Sequence, residues 1–316
     1  MSEEQVQSVF RECRWPETNG EPVCPHCGGL DPYECRRASG ALRYRCKACG
    51  KDFTLTSGTI FASHKLPLRM YLAAIAFFVN SVKGKSMLEL SRDLNVNYKT
   101  AFVLAHKIRE AISHEYKGRT VGGEGRVVEI DGALVGVYVK PANQKEFRRD
   151  RRRRENLSPN RKFIVVARER GGLSTVGIFK TEGQSKSWLK SVIKKGTVVH
   201  ADDAAGWNGL RDKYEMFRID HTNRGYSIDG ACTNLAESFF SRLRRLELGQ
   251  HHHIEAHYTL RYARESGWRE DNRFKSNGEQ LHHILGLTLH APPSVDFCGY
   301  WQRRKPATFM PDGVAA

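Results

Sequence analysis

The chain has 316 residues, 40% of them hydrophobic, which allows about two domains with real cores. Its 51 Lys and Arg against 35 Asp and Glu leave a net charge of +16, an imbalance that points to a polyanionic partner, most simply nucleic acid. No apolar run reaches the ~18 residues of a membrane span, Tyr71–Val79 being the best patch, and Met1-Ser-Glu-Glu is no secretory leader, so the expectation is a cytoplasmic protein, associated with the nucleoid when bound to DNA.

Residues 1–20 are polar with one short helical pattern, and Trp15-Pro16 is expected to pack against the segment just after it. Four of the eight cysteines form two pairs, Cys24-Pro-His-Cys27 and Cys46-Lys-Ala-Cys49, with eighteen residues between them. In a chain without a leader this spacing argues for metal rather than disulfides. Each pair is followed by Gly, and four thiolates complete a closed tetrahedral structural zinc site. The reading is a zinc ribbon within residues 1–62, with roughly 10 kcal/mol or more of its folding free energy supplied by the metal. Its basic residues Arg36, Arg37, Arg43, Arg45 and Lys47 suit either nucleic acid or a protein partner.

Residues 63–117 read as helical. Pro67 opens one helix, Ser86 caps a second, and Asn95-Val96-Asn97 turns the chain into a third. Two helices around so short a turn fit a helix-turn-helix, with Asn97, Tyr98 and Lys99 at the start of the recognition helix; a plain connecting bundle is the alternative.

Gly118–Gly125 reads as a linker, and residues 118–288 as the next domain. Residues 126–141 form a strongly β segment with Asp131 inside it. A carboxylate is costly there unless paired, so Asp131 reads as a metal ligand, or else as part of a strand-end turn with Gly132. Residues 144–162 carry a single-signed run that includes Arg151, Arg152 and Arg153 and reads as a loop contacting phosphate. Strands follow at 163–167 and 174–179, a helix at 185–193, a buried strand at 196–203 ending in Asp202-Asp203, a helix at 204–213 and a strand at 214–219. The order of three antiparallel-type strands, helix, strand, helix, strand, helix is the ribonuclease H pattern, a mixed-sheet α/β fold. A late helix carries Asn234 and Glu237 on one side and Arg242, Arg244 and Arg245 beyond, as candidates for DNA backbone contact. Residues 289–316, with Pro292-Pro293 and Lys305-Pro306, read as a weakly ordered tail.

Asp131, Asp202 and Glu237 on neighbouring elements can hold two Mg²⁺ or Mn²⁺ ions for in-line phosphodiester transfer. Taken together, the four-cysteine ribbon running into Lys51–Phe61, Val127-Val-Glu-Ile-Asp131-Gly, Ala201-Asp202-Asp203 with Trp207, His221, Thr233–Phe240 and His251-His-His-Ile254 resemble the DDE-type transposases of bacterial insertion sequences, in the ISXO-like branch. The resemblance covers roughly residues 15–285. It implies a catalytic triad of Asp131, Asp202 and Glu237, cleavage at transposon ends, strand transfer into target DNA, and a homo-oligomer in the synaptic complex. Asn234 is an alternative third ligand, Asp203 an alternative to Asp202, and His221 an auxiliary candidate. Two other functions use the same residues: a DNA-binding regulator without catalysis, and a ribonuclease H-like nuclease that cleaves but never joins.

Overall fold

The computed structural model describes residues 1–38, 40–135, 142–150, 153–156, 161–202, 205–219, 232–294 and 296–297. These fall into two compact units, one of residues 1–115 with the described residues from 274 to 297, the other of the described residues between 116 and 273.

The first unit begins with α1 (Glu3–Arg14). Ser2 and Gln5 cap it reciprocally, each side chain accepting from the other's backbone N–H, which satisfies two amides the helix leaves unpaired. Strands β1 (Tyr33–Arg36), β2 (Leu42–Arg45) and β3 (Asp52–Phe53) form an antiparallel three-stranded sheet. As expected, Trp15 packs on this module, edge-on to Tyr44 at 6.1 Å and to Phe53 at 6.5 Å. Helix α2 (Leu68–Asn80) follows Pro67. Helix α3 (Met87–Asp93) is capped by Ser86, whose hydroxyl accepts from the Glu89 N–H at 3.2 Å. Asn95, with φ 50°, then turns the chain into α4 (Tyr98–Glu115).

The second unit is built on a five-stranded mixed sheet. Its strands are β4 (Val127–Val135), β5 (Lys162–Glu169), β6 (Ser174–Phe179), β7 (Val198–Asp202) and β8 (Glu215–Ile219), in the order β6-β5-β4-β7-β8. The first three run antiparallel, and β4, β7 and β8 run parallel. This is the ribonuclease H-like arrangement expected from the element order. Alternation sorts the sheet into two faces. Val128, Ile130, Val165, Ala167, Val199 and Ala201 pack on one side with Leu189 and Ile193, from and just beyond α5 (Ser185–Val192), and with the fully buried Trp207. Glu129 and Asp131 stand on the other side, where α6 (Asn234–Arg245) and α7 (Thr259–Asp271) lie.

Three local expectations change. The helix read at 204–213 is a 3₁₀ stretch over Ala205–Leu210. Asp131-Gly132 is no strand-end turn, because β4 continues past it to Val135. Gly132 is needed there for space: a Cβ would come within 2.5 Å of the Phe163 ring. Finally, α8 (Asn277–His290) packs on α1, α2 and α4 and so belongs to the first unit, not to the domain read as 118–288. Its buried stripe of Ile284, Leu285 and Leu289 is the physical reason, and Ser294 beyond it donates to Glu110 at 2.6 Å. Most of the expected tail, 298–316, lies outside the described residues.

Candidate active site and zinc site

Register places the first two carboxylates. Ile130 on β4 pairs with Ala201 on the parallel β7, so Asp131 and Asp202 follow at one level on neighbouring strands and share a face of the sheet. Glu237 comes from the first turn of α6, which lies over that face. Asp131, Asn234, Glu237, Ser238, Ser241 and Arg244 line one cleft of about 620 Å³. Burial, reinforced by the negative charges of Asp202 and Glu237, pushes the Asp131 carboxyl up to about 6, against the pull of the Gly132 N–H and the Arg244 guanidinium. The Asp131 carboxylate is therefore repelled by both of the others in a largely desolvated place. Hard oxygen donors with excess negative charge fit Mg²⁺ or Mn²⁺. In the ribbon, the four cysteine sulfurs all lie within 4.8 Å of one another.

Each carboxylate is held by a neighbour. Asp131 Oδ1 accepts from the Gly132 N–H at 2.7 Å. Asp202 accepts from the indole N–H of Trp207, itself anchored in the core. Glu237 Oε1 accepts from the Thr233 hydroxyl at 2.9 Å. Two further carboxylates stand close by that the sequence did not single out. Burial and the charge of Asp202 raise the pKa of Glu182. Glu129, fully buried, reaches the start of α6, its Oε2 accepting from the Leu235 N–H at 2.7 Å. Neither has a sequence signal: Glu182 lies in a polar turn, and Glu129 is near Asp131 in sequence but meets its partners 106 residues away.

The ribbon brings Cys24, Cys27, Cys46 and Cys49 together, with Sγ–Sγ separations of 3.8 Å for Cys24–Cys49 and 3.5 Å for Cys27–Cys46. The Cys49 N–H donates to the Cys46 sulfur at 3.5 Å, which favours the thiolate there. The donor set and its closure fit a structural zinc ion.

Other expected residues are distributed as follows. Tyr98 and Lys99 begin α4; Asn97 just precedes it, its side chain accepting from the Lys99 N–H at 2.9 Å, and Tyr98 is exposed. Arg244 faces the cleft and Arg245 is exposed, whereas Arg242 is ion-paired to the buried Glu270. Arg153 is exposed, 3.6 Å from Glu155. Asp203, His221, Arg151 and Arg152 lie outside the described residues. No described helix is long and apolar enough to cross a membrane.

Known proteins share both parts of this chain. Residues 122–271 match the family described as ISXO2-like transposase domain, and residues 1–52 match the transposase zinc-ribbon domain. A protein described as uncharacterized, in transposable element ISH50 of Halobacterium salinarum, is 24% identical over 298 residues, covering 92% of this chain and 98% of its own. Among solved structures, the Mos1 strand transfer complex is similar at 12% identity over 68% of this chain and 81% of that one, with a TM-score of 0.21, too low to carry an argument.

Proposed function

The chain belongs to the ISXO2-like transposases of insertion sequences, with a transposase zinc ribbon before the catalytic domain, and from this we propose that it cleaves DNA at transposon ends and transfers the strand into target DNA. The observation that carries the reading is the placing of Asp131 and Asp202 at one level on adjacent parallel strands, with Glu237 from the first turn of α6 lining the same cleft as Asp131. Two bound Mg²⁺ or Mn²⁺ ions would activate the attacking oxygen and stabilise the leaving one.

The chain's own residues hold and aim these parts. Asp131 and Asp202 supply carboxylate oxygens from rigid strands, which fixes their separation more tightly than loops could. Glu237 supplies the third carboxylate, with Asn234 one turn earlier as the alternative. Thr233 and Trp207 hold Glu237 and Asp202 in one orientation each. Arg244 places a guanidinium at the cleft, suited to a DNA phosphate. On this reading the exposed start of α4, with Asn97, Tyr98 and Lys99, reads DNA as the second helix of a helix-turn-helix, and Arg151–Arg153 contact the backbone. The ribbon holds zinc for structure, and the protein acts in the cytoplasm as a homo-oligomer on two ends.

The test is nicking of a duplex that spans one boundary of the element in Mn²⁺, wild type beside Asp131→Asn. Metal-dependent nicking at the boundary, lost in the variant, is the expected result. Tight binding without nicking by the wild type would contradict it and favour a DNA-binding regulator.

A further inference from the structure

We infer that Glu129 is a positioning residue that locks the helix carrying Glu237 onto the strand carrying Asp131. The inference rests on the metal-site reading of Asp131, Asp202 and Glu237. The N-terminus of α6 lacks its own cap. Thr233 occupies the N-cap position but makes no side-chain bond to the helix backbone; its hydroxyl goes to Glu237 instead. The missing acceptor comes from across the fold. Glu129 Oε2 accepts from the N–H groups of Leu235 at 2.7 Å and Ala236 at 3.3 Å. A carboxylate at a helix N-terminus also meets the positive end of the helix dipole.

The same first turn is gripped from a second side. Arg168, paired directly opposite Glu129 on β5, donates to the Leu235 carbonyl at 3.2 Å and to Glu270 on α7 at 2.7 Å. Leu235 is thus held through both its N–H and its C=O. Behind Glu129, Arg170 donates to Oε1 at 2.8 Å and also reaches the Cys232 carbonyl at 3.1 Å and the His200 Nδ1 at 3.2 Å.

Glu129 and Asp131 sit two apart on one strand and face the same side. One rigid strand therefore carries a metal carboxylate and the clamp that sets where the opposing carboxylate stands. Freeing Thr233 from capping duty is what lets it hold Glu237. Glu129 touches none of the reacting atoms and acts only through α6.

The test uses the full chain with Glu129→Gln and Glu129→Asp. Gln keeps length and one acceptor oxygen but loses the charge; Asp keeps the charge but is one methylene too short. Mn²⁺ binding is read by electron paramagnetic resonance, and amide exchange at Leu235 and Ala236 is read in the metal-free protein. Both variants are expected to unfold cooperatively, to lose amide protection at Leu235 and Ala236, and to need about tenfold more Mn²⁺ for half-saturation. Wild-type Mn²⁺ affinity in both folded variants would overturn the inference. So would wild-type behaviour of Glu129→Asp alone, which would reduce Glu129 to a nearby charge. Loss of cooperative folding in both would make it a stability residue only and would overturn the inference as well. Asp131→Asn and Glu237→Gln run alongside: if these too bind Mn²⁺ as wild type does, the metal-site reading itself fails.

Discussion

Asp131 shows how one residue couples fold and chemistry. Held near 6 by burial and by its acidic neighbours, it is protonated in part of the metal-free protein at mildly acid pH. Its folded pKa lies above the ordinary 3.8, so the native state binds the extra proton between these values, and this group's contribution to stability falls as pH rises through about 4 to 6. Asp131→Asn removes that repulsion. Metal-free Asp131→Asn should unfold later than wild type at pH 8, by up to about 3 kcal/mol, with the gap closing near pH 4, as read by thermal unfolding in EDTA. Metal binding runs the opposite way: half-saturating Mn²⁺ should rise as pH drops below about 6, because the proton competes for the ligand. The three ligand candidates were legible because each is an acidic residue where the pattern wants an apolar or neutral one, or sits in a recognisable motif. Thr233 stands at the N-cap of α6, yet its hydroxyl goes to Glu237 while Glu129 takes the capping role; that exchange exists only in three dimensions.

At the scale of elements, the ribbon and the sheet followed the sequence closely, since cysteine spacing and β-periodicity are local signals. Helix α7 did not. Its sequence is mixed and polar, yet most of it is buried, including Arg261, Arg264, Glu265 and Glu270. Ion pairs make this tolerable, and pairing across elements leaves no period in the sequence. Glu270 is fully buried and meets Arg168 at 2.7 Å and Arg273 at 2.9 Å, with the more exposed Arg242 as a third partner. Removing one member of such a set leaves buried charge uncompensated. Glu270→Ala should cost about 3 kcal/mol and lower the melting temperature by about 6–12 °C, most of it through Arg168 rather than the screened Arg242. In the ribbon, Cys46→Ser should abolish stoichiometric zinc, measured by a colorimetric release assay, and should expose residues 24–53 to proteolysis. Helix α8 follows the second unit's elements in sequence order, whereas its apolar stripe selects α1, α2 and α4.

For the whole molecule, the charge of +16 predicts binding dominated by phosphate contacts. Affinity for end DNA should fall about 10³-fold or more between 50 and 200 mM salt if six or more phosphates are neutralised, and Arg244→Ala should make that slope shallower by about one contact. The charge alone would suit a regulator equally well; what separates an enzyme from a binder is the carboxylate cluster. The most direct measurement is therefore joining of a pre-cut transposon-end oligonucleotide to target DNA in Mn²⁺, wild type beside Glu237→Gln. Joined product is expected from the wild type, with at least a hundredfold loss in the variant, since even supporting residues of a metal site cost about 10- to 100-fold. Joining that survives Glu237→Gln would contradict the assignment and move the third ligand to Asn234 or elsewhere, and cleavage of uncut ends without joining would mark a nuclease instead.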